Sequence, residues 1–478
     1  MCGLLGYSLN YKSSLREKDL IIKAIEDIAY RGPDNTGTWF DKEGSIGLAH
    51  KRLSIQDVSA AANQPMSDSI GNYIIIFNGE IYNYKILRES LISKGHAFIT
   101  NSDTEVLIYG YLEWGDKLFP MINGMFSLAI IDLQNQEIIL ARDRSGEKPL
   151  YYSLQSKSLY FCSEIKPLLH FPEIKKSINM PSLNYLFAYG YCPNDDSIYS
   201  NIKKVEAGTL LKFNLTTREI VKNTFFNLKE EIITTKHKNQ QLDEKELVTK
   251  LEGLLENSID LELNADVPVG LLLSGGLDSS IIVALGSRLR SKLDTFTVKF
   301  NGYSEFDESS HASLISKKFN TNHHLIDASE ISPEIIETLV EYYDEPIFDS
   351  SIIPTFLVSK AISSNCKVAL GGDGGDELFG GYPHYNKLLK YKNYFSPIPL
   401  AIRGFLSKNI QSFLPTGYKG KKSLEFFGSD FKNSYPDISE FFSFNERKAI
   451  LNSSNILISD TESIRNKEIA PLEDFIKR

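Results

Sequence analysis

One run constrains this chain more than any other: Gly270-Leu271-Leu272-Leu273-Ser274-Gly275-Gly276-Leu277-Asp278-Ser279-Ser280. Its apolar start is strand-sized, its paired glycines end the strand, and Asp and Ser then open a helix. The same alternation continues around it. Thr295–Phe300 and Lys367–Leu370 read as strands, and Ser279–Arg290, Ser309–Phe319 and Pro354–Ser364 as helices. That order predicts a parallel, doubly wound α/β sheet. Glycines let backbone approach an anion closely, and a helix N-terminus offers free N–H donors. The hydroxyls of Ser274, Ser279 and Ser280 surround the loop and suit a pyrophosphate. The plainer alternative is a glycine turn capped by Asp or Ser. The lysine of G-x-x-x-x-G-K-[ST] is absent, so this is not a P-loop.

A second glycine-rich loop, Gly371-Gly372-Asp373-Gly374-Gly375-Asp376-Glu377-Leu378-Phe379-Gly380-Gly381-Tyr382, follows the Lys367–Leu370 strand. Its spacing fails the EF-hand pattern. Acidic residues at the strand ends of an α/β sheet suit Mg²⁺ bound to a triphosphate; a solvated acidic turn is the alternative. The run around Ser274–Ser280 resembles the PP-loop of ATP pyrophosphatases, which adenylate a substrate. The resemblance implies ATP contacts from Leu273, Ser274, Gly275, Gly276, Asp278, Ser279, Ser280, Val298, Gly371, Gly372 and Asp373. Asp278 and Asp376 are the expected Mg²⁺ ligands. Phe306-Asp307-Glu308-Ser309 is a further family-like segment.

The first 215 residues follow another pattern. Short β-branched and aromatic runs (Tyr73–Phe77, Phe126–Asp132, Glu137–Asp143, Leu159–Ser163, Thr209–Leu215) are bounded by Gly, Asn or Asp, with helical patterns at Glu17–Tyr30, Tyr84–Lys94 and Thr104–Trp114. They predict stacked antiparallel sheets covered by helices, an α+β arrangement. Met1 ahead of a small residue is normally removed, which would leave Cys2 with a free α-amine. Such an amine titrates near ~7.7–8.0 and can act as a base toward the adjacent thiol. An inert cysteine near a frayed end is the alternative. Arg52 beside a strand could clamp a carboxylate through two parallel N–H bonds, or be surface charge. Asn78-Gly79 is the commonest hairpin signal, yet its amide and N–H could also form an oxyanion hole. Asp103 ahead of a helix reads as an N-cap, or as the acceptor of a substrate ammonium.

In this order and spacing, Cys2-Gly3, Arg31-Gly32-Pro33-Asp34, Arg52-Leu53-Ser54-Ile55, Asn78-Gly79-Glu80, Ser102-Asp103, Arg142-Asp143-Arg144, Glu147-Lys148-Pro149-Leu150-Tyr151-Tyr152 and Ser163-Glu164-Ile165-Lys166 resemble the class II glutamine amidotransferase domain, of the N-terminal nucleophile hydrolase type. The resemblance implies that Cys2 attacks the glutamine carboxamide, forms a thioester and releases ammonia. Arg52 would hold the glutamine carboxylate, Glu80 and Asp103 its ammonium, and Asn78 and Gly79 the oxyanion. Joined to the PP-loop, the whole is similar to glutamine-hydrolysing asparagine synthetases. That implies an enzyme in which aspartate and ATP form β-aspartyl-AMP, which ammonia arriving through an internal channel converts to asparagine. Pairing the two sites protects ammonia from loss, a gain in effective concentration. The related β-lactam synthetases lack the nucleophilic cysteine.

Length and composition bound the rest. At about 150 residues per domain, 478 residues suggest about three domains. The motifs give two: an amidotransferase domain over residues 1–215 and a synthetase domain over 246–478, joined by a linker at 216–245. The linker rests on the polar stretch Lys229–Lys245. With 61 acidic against 52 basic residues, the net charge of −9 disfavours non-specific nucleic-acid binding. No apolar run reaches the ~18 residues of a membrane span, and the N-terminus lacks a signal-peptide pattern. The four cysteines are scattered, as in a reduced, cytoplasmic protein. The expected partners are glutamine, aspartate and ATP, with a homodimer as the expected assembly, and neither nucleic acid nor membrane. Family members also carry a K-V-D-R-like helix and an R-x-P-[FL]-[LM]-D segment; neither is intact between Tyr385 and Arg478. Ile469-Ala470-Pro471-Leu472-Glu473-Asp474 has Ile469 where the arginine belongs, a chance echo. The C-terminal part is therefore expected to be incomplete, with exposed apolar surface where helices are missing. Two alternatives follow: an amidotransferase acting on another carboxylate such as a sugar acid, or a remnant with glutaminase activity only.

Overall fold

The structure is a computed structural model that describes residues 1–13, 15–193, 195–239, 242–299, 307–327, 332–414, 418, 420–428 and 440–451. Phe300, Phe306 and the Ile469–Asp474 segment lie outside the described residues.

Twelve strands build the first half: β1 (Gly3–Ser8), β2 (Asn35–Phe40), β3 (Ile46–Arg52), β4 (Met66–Ser67), β5 (Tyr73–Ile81), β6 (Gly124–Asp132), β7 (Glu137–Arg142), β8 (Tyr151–Gln155), β9 (Ser158–Cys162), β10 (Lys203–Lys204), β11 (Thr209–Asn214) and β12 (Ile220–Thr224). They form two six-stranded sheets, ordered β10-β8-β9-β1-β3-β2 and β12-β11-β7-β6-β5-β4, with antiparallel neighbours. Because successive side chains point to opposite faces, each central strand serves two cores. Leu4, Ile74, Ile76, Ala129 and Ile131 meet between the sheets. Their neighbours Ile75, Phe77, Leu128 and Ile130 face outward under α2 (Tyr84–Ser93) and α3 (Asp103–Trp114). Leu5, Tyr7 and Ala49 face outward under α1 (Leu15–Ala24) and the short α4 (Ile165–Leu168). The result is a four-layer helix–sheet–sheet–helix sandwich, as the stacked-sheet reading predicts. A slip of one residue would exchange the two cores of any central strand, so the register is firmly set. The predicted Glu17–Tyr30 helix is α1 followed by a tight turn of 3₁₀ helix over Ile25–Arg31.

The second half opens with α6 (Leu228–Asn239) and α7 (Glu244–Glu262). The polar stretch from Lys229, read as a linker, is thus helical as far as Asn239, with Glu230, Glu231, Ile233, Thr234 and Thr235 exposed. The α7 start carries a capping box, in which Asp243 accepts from Glu246 N and Glu246 accepts from Asp243 N. Strands β13 (Val269–Leu272), β14 (Asp294–Lys299), β15 (Asn322–Asp327) and β16 (Val368–Leu370) form a parallel sheet ordered β15-β14-β13-β16. Helices cover both faces. Leu271 packs with Val283 of α8 (Leu277–Leu289) and Ala312 of α9 (Ser309–Phe319). Phe296 packs with Ile362 of α11 (Ile352–Ser363), which follows α10 (Pro333–Tyr342). Strand order reverses between β13 and β16, and ligands of open α/β sheets bind at the carboxyl ends beside such a switch point.

Among the described residues, 180–192, 346–349 and those between 372 and 451 form a separate compact unit. It contains α5 (Met180–Tyr189), α12 (Gly375–Phe379), α13 (Pro383–Phe395), α14 (Leu400–Phe413), α15 (Lys421–Gly428) and α16 (Phe444–Leu451). Arg447 is buried there, its Nε donating to Asn184 Oδ1 at 3.1 Å and its Nη1 to Glu440 Oε1 at 2.9 Å. No helix among the described residues is long and apolar enough to cross a membrane.

Candidate active sites

Strand register assembles the first site. With Gly3 opposite Lys51, Cys2 falls beside Arg52 and Leu53. Leu53 N donates to the Cys2 sulfur at 3.4 Å. Burial raises the thiol pKa, against that N–H and the nearby α-amine, which lower it. The amine at this end of the chain, on Met1, is itself drawn down to about 6 by burial; Cys2, Arg31, Lys148 and Glu80 are its charged neighbours. A neutral amine at physiological pH is one that can accept a proton.

Strand β5 supplies the next group. Phe126 O accepts from Asp143 N at 2.8 Å and Phe126 N donates to the Asp143 carboxylate at 3.1 Å, both away from β5, so its pairing with Gly79 is of the non-hydrogen-bonded kind. Gly79 N–H therefore turns away from β6. Residues two apart share that edge: Phe77 N donates to Gln64 Oε1 at 2.6 Å and Ile81 N to Asp103 Oδ2 at 3.0 Å, with Gly79 between them. A Cβ on Gly79 would stand 2.1 Å from Met125 O, so no larger residue fits. Both polar atoms of the Asn78 amide are buried and make no hydrogen bond among the described residues. Such orphans are rare in folded proteins and call for a partner.

Glu80 and Asp103 form a tight acidic pair. Burial, then the charge of Asp103, push Glu80 well above the usual carboxylate range. Burial raises Asp103 to about 6, even though its carboxylate accepts backbone N–H bonds at the start of α3. The N-cap itself is Ser102, which accepts from Glu105 N at 3.3 Å; Asp103 stands one residue inside. Arg52 is buried with its terminal nitrogens already engaged. Nη1 donates to Ser59 O (2.8 Å) and Asn63 Oδ1 (2.7 Å), and Nη2 to Asp57 O and Gln56 O (3.3 Å). Nε remains for a further acceptor.

Three side chains given no role by sequence complete this site. Arg31 Nε donates to Cys2 O at 2.9 Å, and its Nη1 pairs with Glu164 at 2.8 Å in a buried ion pair. Lys148 sits near the amine and Glu80, its pKa lowered by burial. Arg31 and Glu164 both lie in family-like motifs of the sequence, and only the fold shows what they touch.

The second site follows β13. Gly275 has φ +86°, a conformation that glycine adopts freely, and a Cβ there would meet His311 Cβ at 2.7 Å and Ala312 N at 2.8 Å. Ser274 Oγ lies 3.0 Å from Ser279 Oγ and accepts from Gly276 N at 3.2 Å. Ser280 Oγ is buried and unpartnered among the described residues. Asp278 lies in the first turn of α8. Leu273 directly follows β13 and Val298 lies on the adjoining β14, where Thr297 Oγ1 donates to Leu273 O. Gly371 follows β16 at the switch point. In the separate unit, Gly374 (φ +86°) opens α12 and Asp376 stands in its first turn, with Gly372 and the exposed Asp373 just before. No three His, Cys, Asp or Glu side chains converge as a metal cluster among the described residues.

A helix-covered double sheet with a cysteine at the head of its first strand, followed by a parallel sheet with a glycine–serine loop, defines a glutamine amidotransferase joined to a nucleotide-loop synthetase domain. Comparison with known proteins gives the same division. Residues 1–226 match the glutamine amidotransferase domain family and residues 250–446 the asparagine synthase family. The chain is 33% identical over 459 residues to asparagine synthetase [glutamine-hydrolyzing] 1 of Bacillus subtilis, covering 95% of this chain and 70% of that one. It is 36% identical over 403 residues to a putative asparagine synthetase [glutamine-hydrolyzing] 2 of Methanocaldococcus jannaschii, covering 80% and 76%. Among solved structures, a B. subtilis glutamine phosphoribosylpyrophosphate amidotransferase overlays with a TM-score of 0.36 at 15% identity, covering 70% of each chain. The sandwich rests on its own strand order, not on that overlay. The chain belongs to the glutamine-hydrolysing asparagine synthetase family, enzymes of glutamine-dependent amidation.

Proposed function

We propose that this chain amidates aspartate to asparagine, using ATP and the amide nitrogen of glutamine. The carrying observation is the β5 edge beside Cys2: an unpartnered Asn78 amide and a Gly79 N–H turned out of its ladder. Those are two donors ready for a developing oxyanion, and preorganised donors often lower a reaction barrier more than any other single effect. In this reading the Cys2 sulfur attacks the glutamine carboxamide carbon, and its proton passes to the α-amine freed by loss of Met1. The α-ammonium returns that proton to the leaving nitrogen as the C–N bond breaks, so ammonia leaves and a thioester remains; water then releases glutamate. The raised carboxyls of Glu80 and Asp103 suit a substrate ammonium, which relieves their mutual repulsion. Arg52 takes the substrate carboxylate.

The nucleotide loop fits ATP. Gly275 lets the loop turn in left-handed backbone close against α9, Gly276 adds no side chain beside it, and the orphaned Ser280 hydroxyl supplies a buried donor. Leu273, Ser274, Asp278, Ser279, Val298, Gly371, Gly372 and Asp373 are the further contacts proposed. Mg²⁺ at nucleotide sites takes one or two carboxylates and the substrate phosphates. Asp278 and Asp376 are the carboxylates proposed for it. Bound there, Mg²⁺ would neutralise phosphate charge. The names of the relatives favour aspartate as acceptor; a sugar acid is the competing substrate. A domain division near residues 216–245 and a cytoplasmic location belong to the same proposal.

Two assays test it. Glutamate release from glutamine is expected to vanish in Cys2→Ala, and normal hydrolysis by that variant would overturn the nucleophile. Pyrophosphate release from ATP is expected to require aspartate. Release with another carboxylate instead would reassign the acceptor, and release with none, hydrolysis being intact, would leave a glutaminase alone.

A further inference from the structure

Arg52 is held by a loop that the second half of the chain holds in turn. All four of its terminal N–H groups go to residues 56–63, three of them to main-chain carbonyls. The loop pivots on Asp57, a non-glycine residue at φ +47°. Asp57 Oδ1 accepts from Ser59 N at 3.1 Å and Oδ2 from Asn101 N at 2.7 Å. Burial alone would raise this carboxyl, but those hydrogen bonds and Arg52 bring it below its ordinary value. The left-handed region costs a β-carbon residue free energy and persists only where surroundings enforce it.

Here the enforcing contacts come from the turn between α7 and β13. Asp266 Oδ2 accepts from Asp57 N at 2.8 Å. Asp266 N donates to Ile55 O at 3.2 Å, and Gln56 Nε2 donates to Asn264 O at 2.8 Å. Asp266 also adds its negative charge to the field at Glu80. One short stretch ahead of the nucleotide strand thus grips the two loop residues that carry the Nη2 contacts of Arg52.

We propose that the Asn264–Asp266 turn is a positioning element of the glutamine site, supplied by the nucleotide-binding half of the chain. It rests on the reading of Arg52 as partner of the glutamine carboxylate. A carboxylate binds a guanidinium side-on through Nε and Nη2, two parallel donors. Nε makes no hydrogen bond among the described residues, and the Nη2 bond to Gln56 O is the longest of the four. A carboxylate can therefore displace one weak contact while the other three keep the guanidinium in place. Asp266 keeps Gln56 and Asp57 where those contacts form. Without it the loop relaxes, Arg52 loses its fixed orientation, and binding must supply the ordering that the fold now provides.

Steady-state glutamine hydrolysis by the full chain tests this. Asp266→Ala is expected to raise KM for glutamine about tenfold, the scale of one lost charged hydrogen bond, with kcat changed less than twofold. Asp266→Asn keeps an acceptor for Asp57 N and is expected to restore most of the affinity. A contact that only glued the halves together would lower the unfolding temperature and leave KM alone, so unchanged or lowered KM in a folded Asp266→Ala overturns the proposal. If that variant does not fold, Gln56→Ala, a substitution at a half-buried loop position, decides: a several-fold rise in KM supports the proposal and no rise overturns it. Arg52→Lys separates the underlying reading. If it leaves KM unchanged, Arg52 is not the carboxylate partner. If it raises KM while Asp266→Ala and Gln56→Ala do not, only the positioning role is lost.

Discussion

Asp103 is the residue whose ionisation should be felt most directly. Burial lifts its carboxyl from 3.8 to about 6, with Glu80 raised beside it. A substrate ammonium binds the charged form, so glutamine affinity should fall as protonation fills the Asp103 carboxyl below about pH 6. KM for glutamine is expected to rise roughly tenfold for each pH unit below about 6 while Asp103 alone titrates. Hydrolysis measured from pH 5 to 8 checks this, and a flat KM across pH 6 would remove Asp103 from the ammonium site. Asp103→Asn should raise KM at neutral pH and flatten the profile. Sequence could nominate Asp103, since a Ser-Asp pair ahead of a helix has few roles. It could not say that the cap is Ser102, because either side chain can accept an N–H at that helix start. Nor could it reveal that Arg31 reaches the Cys2 carbonyl: a contact across 29 positions leaves no local pattern.

Among elements, the glycine loop after β13 carries the sharpest constraint. Gly275→Ala would force a β-carbon into left-handed backbone and against the His311–Ala312 backbone of α9. The loop must then shift, and the Ser274–Ser279 contact with it. ATP-dependent pyrophosphate release should fall by more than tenfold, with glutamine hydrolysis retained because the double sheet is untouched. Parallel assays on one preparation read both, and loss of the two together would mean general misfolding instead. Continuous β-branched and aromatic runs made the central strands of the sandwich legible, because both of their faces are buried, and the β/α alternation made the second sheet legible. Weakly patterned elements escaped. β15 (Asn-His-His-Leu-Ile-Asp) is a half-exposed edge strand with little apolar signal. α6 buries none of its described side chains, so its polar composition read as a linker. α7 is more legible, because Leu247, Leu251, Leu254 and Leu255 recur at helical spacing behind its capping box.

Across the whole molecule, contacts between the halves of the larger unit run through charges that a sequence reads as surface. Lys367 Nζ reaches Asp34 Oδ2 at 2.7 Å, and Glu345 Oε2 meets Lys204 Nζ at 3.1 Å. The first is partly exposed and contributes little to stability. Asp344 is different. Its carboxylate accepts from Ile165 N and from Lys166 N (3.2 Å), capping α4 of the sandwich from outside it. Burial, then repulsion from Glu164, raise it from 3.8 to about 6, although those N–H bonds pull the other way. The folded chain therefore holds this proton more tightly than the unfolded chain. Its contribution to stability is complete below about pH 3.8 and is lost as pH rises through 6. Asp344→Asn cannot titrate. Losing one acceptor lowers its stability by a constant amount, but the variant escapes the charge that the native chain must accommodate. The unfolding temperature of the variant should thus gain on that of the native chain between pH 4 and 7. The gain is at most roughly 3 kcal/mol, from about two pKa units at ~1.4 kcal/mol each. Thermal unfolding followed across that window decides it. Two parallel curves would mean that Asp344 is stable as a carboxylate, and that the halves meet there through an ordinary charged cap.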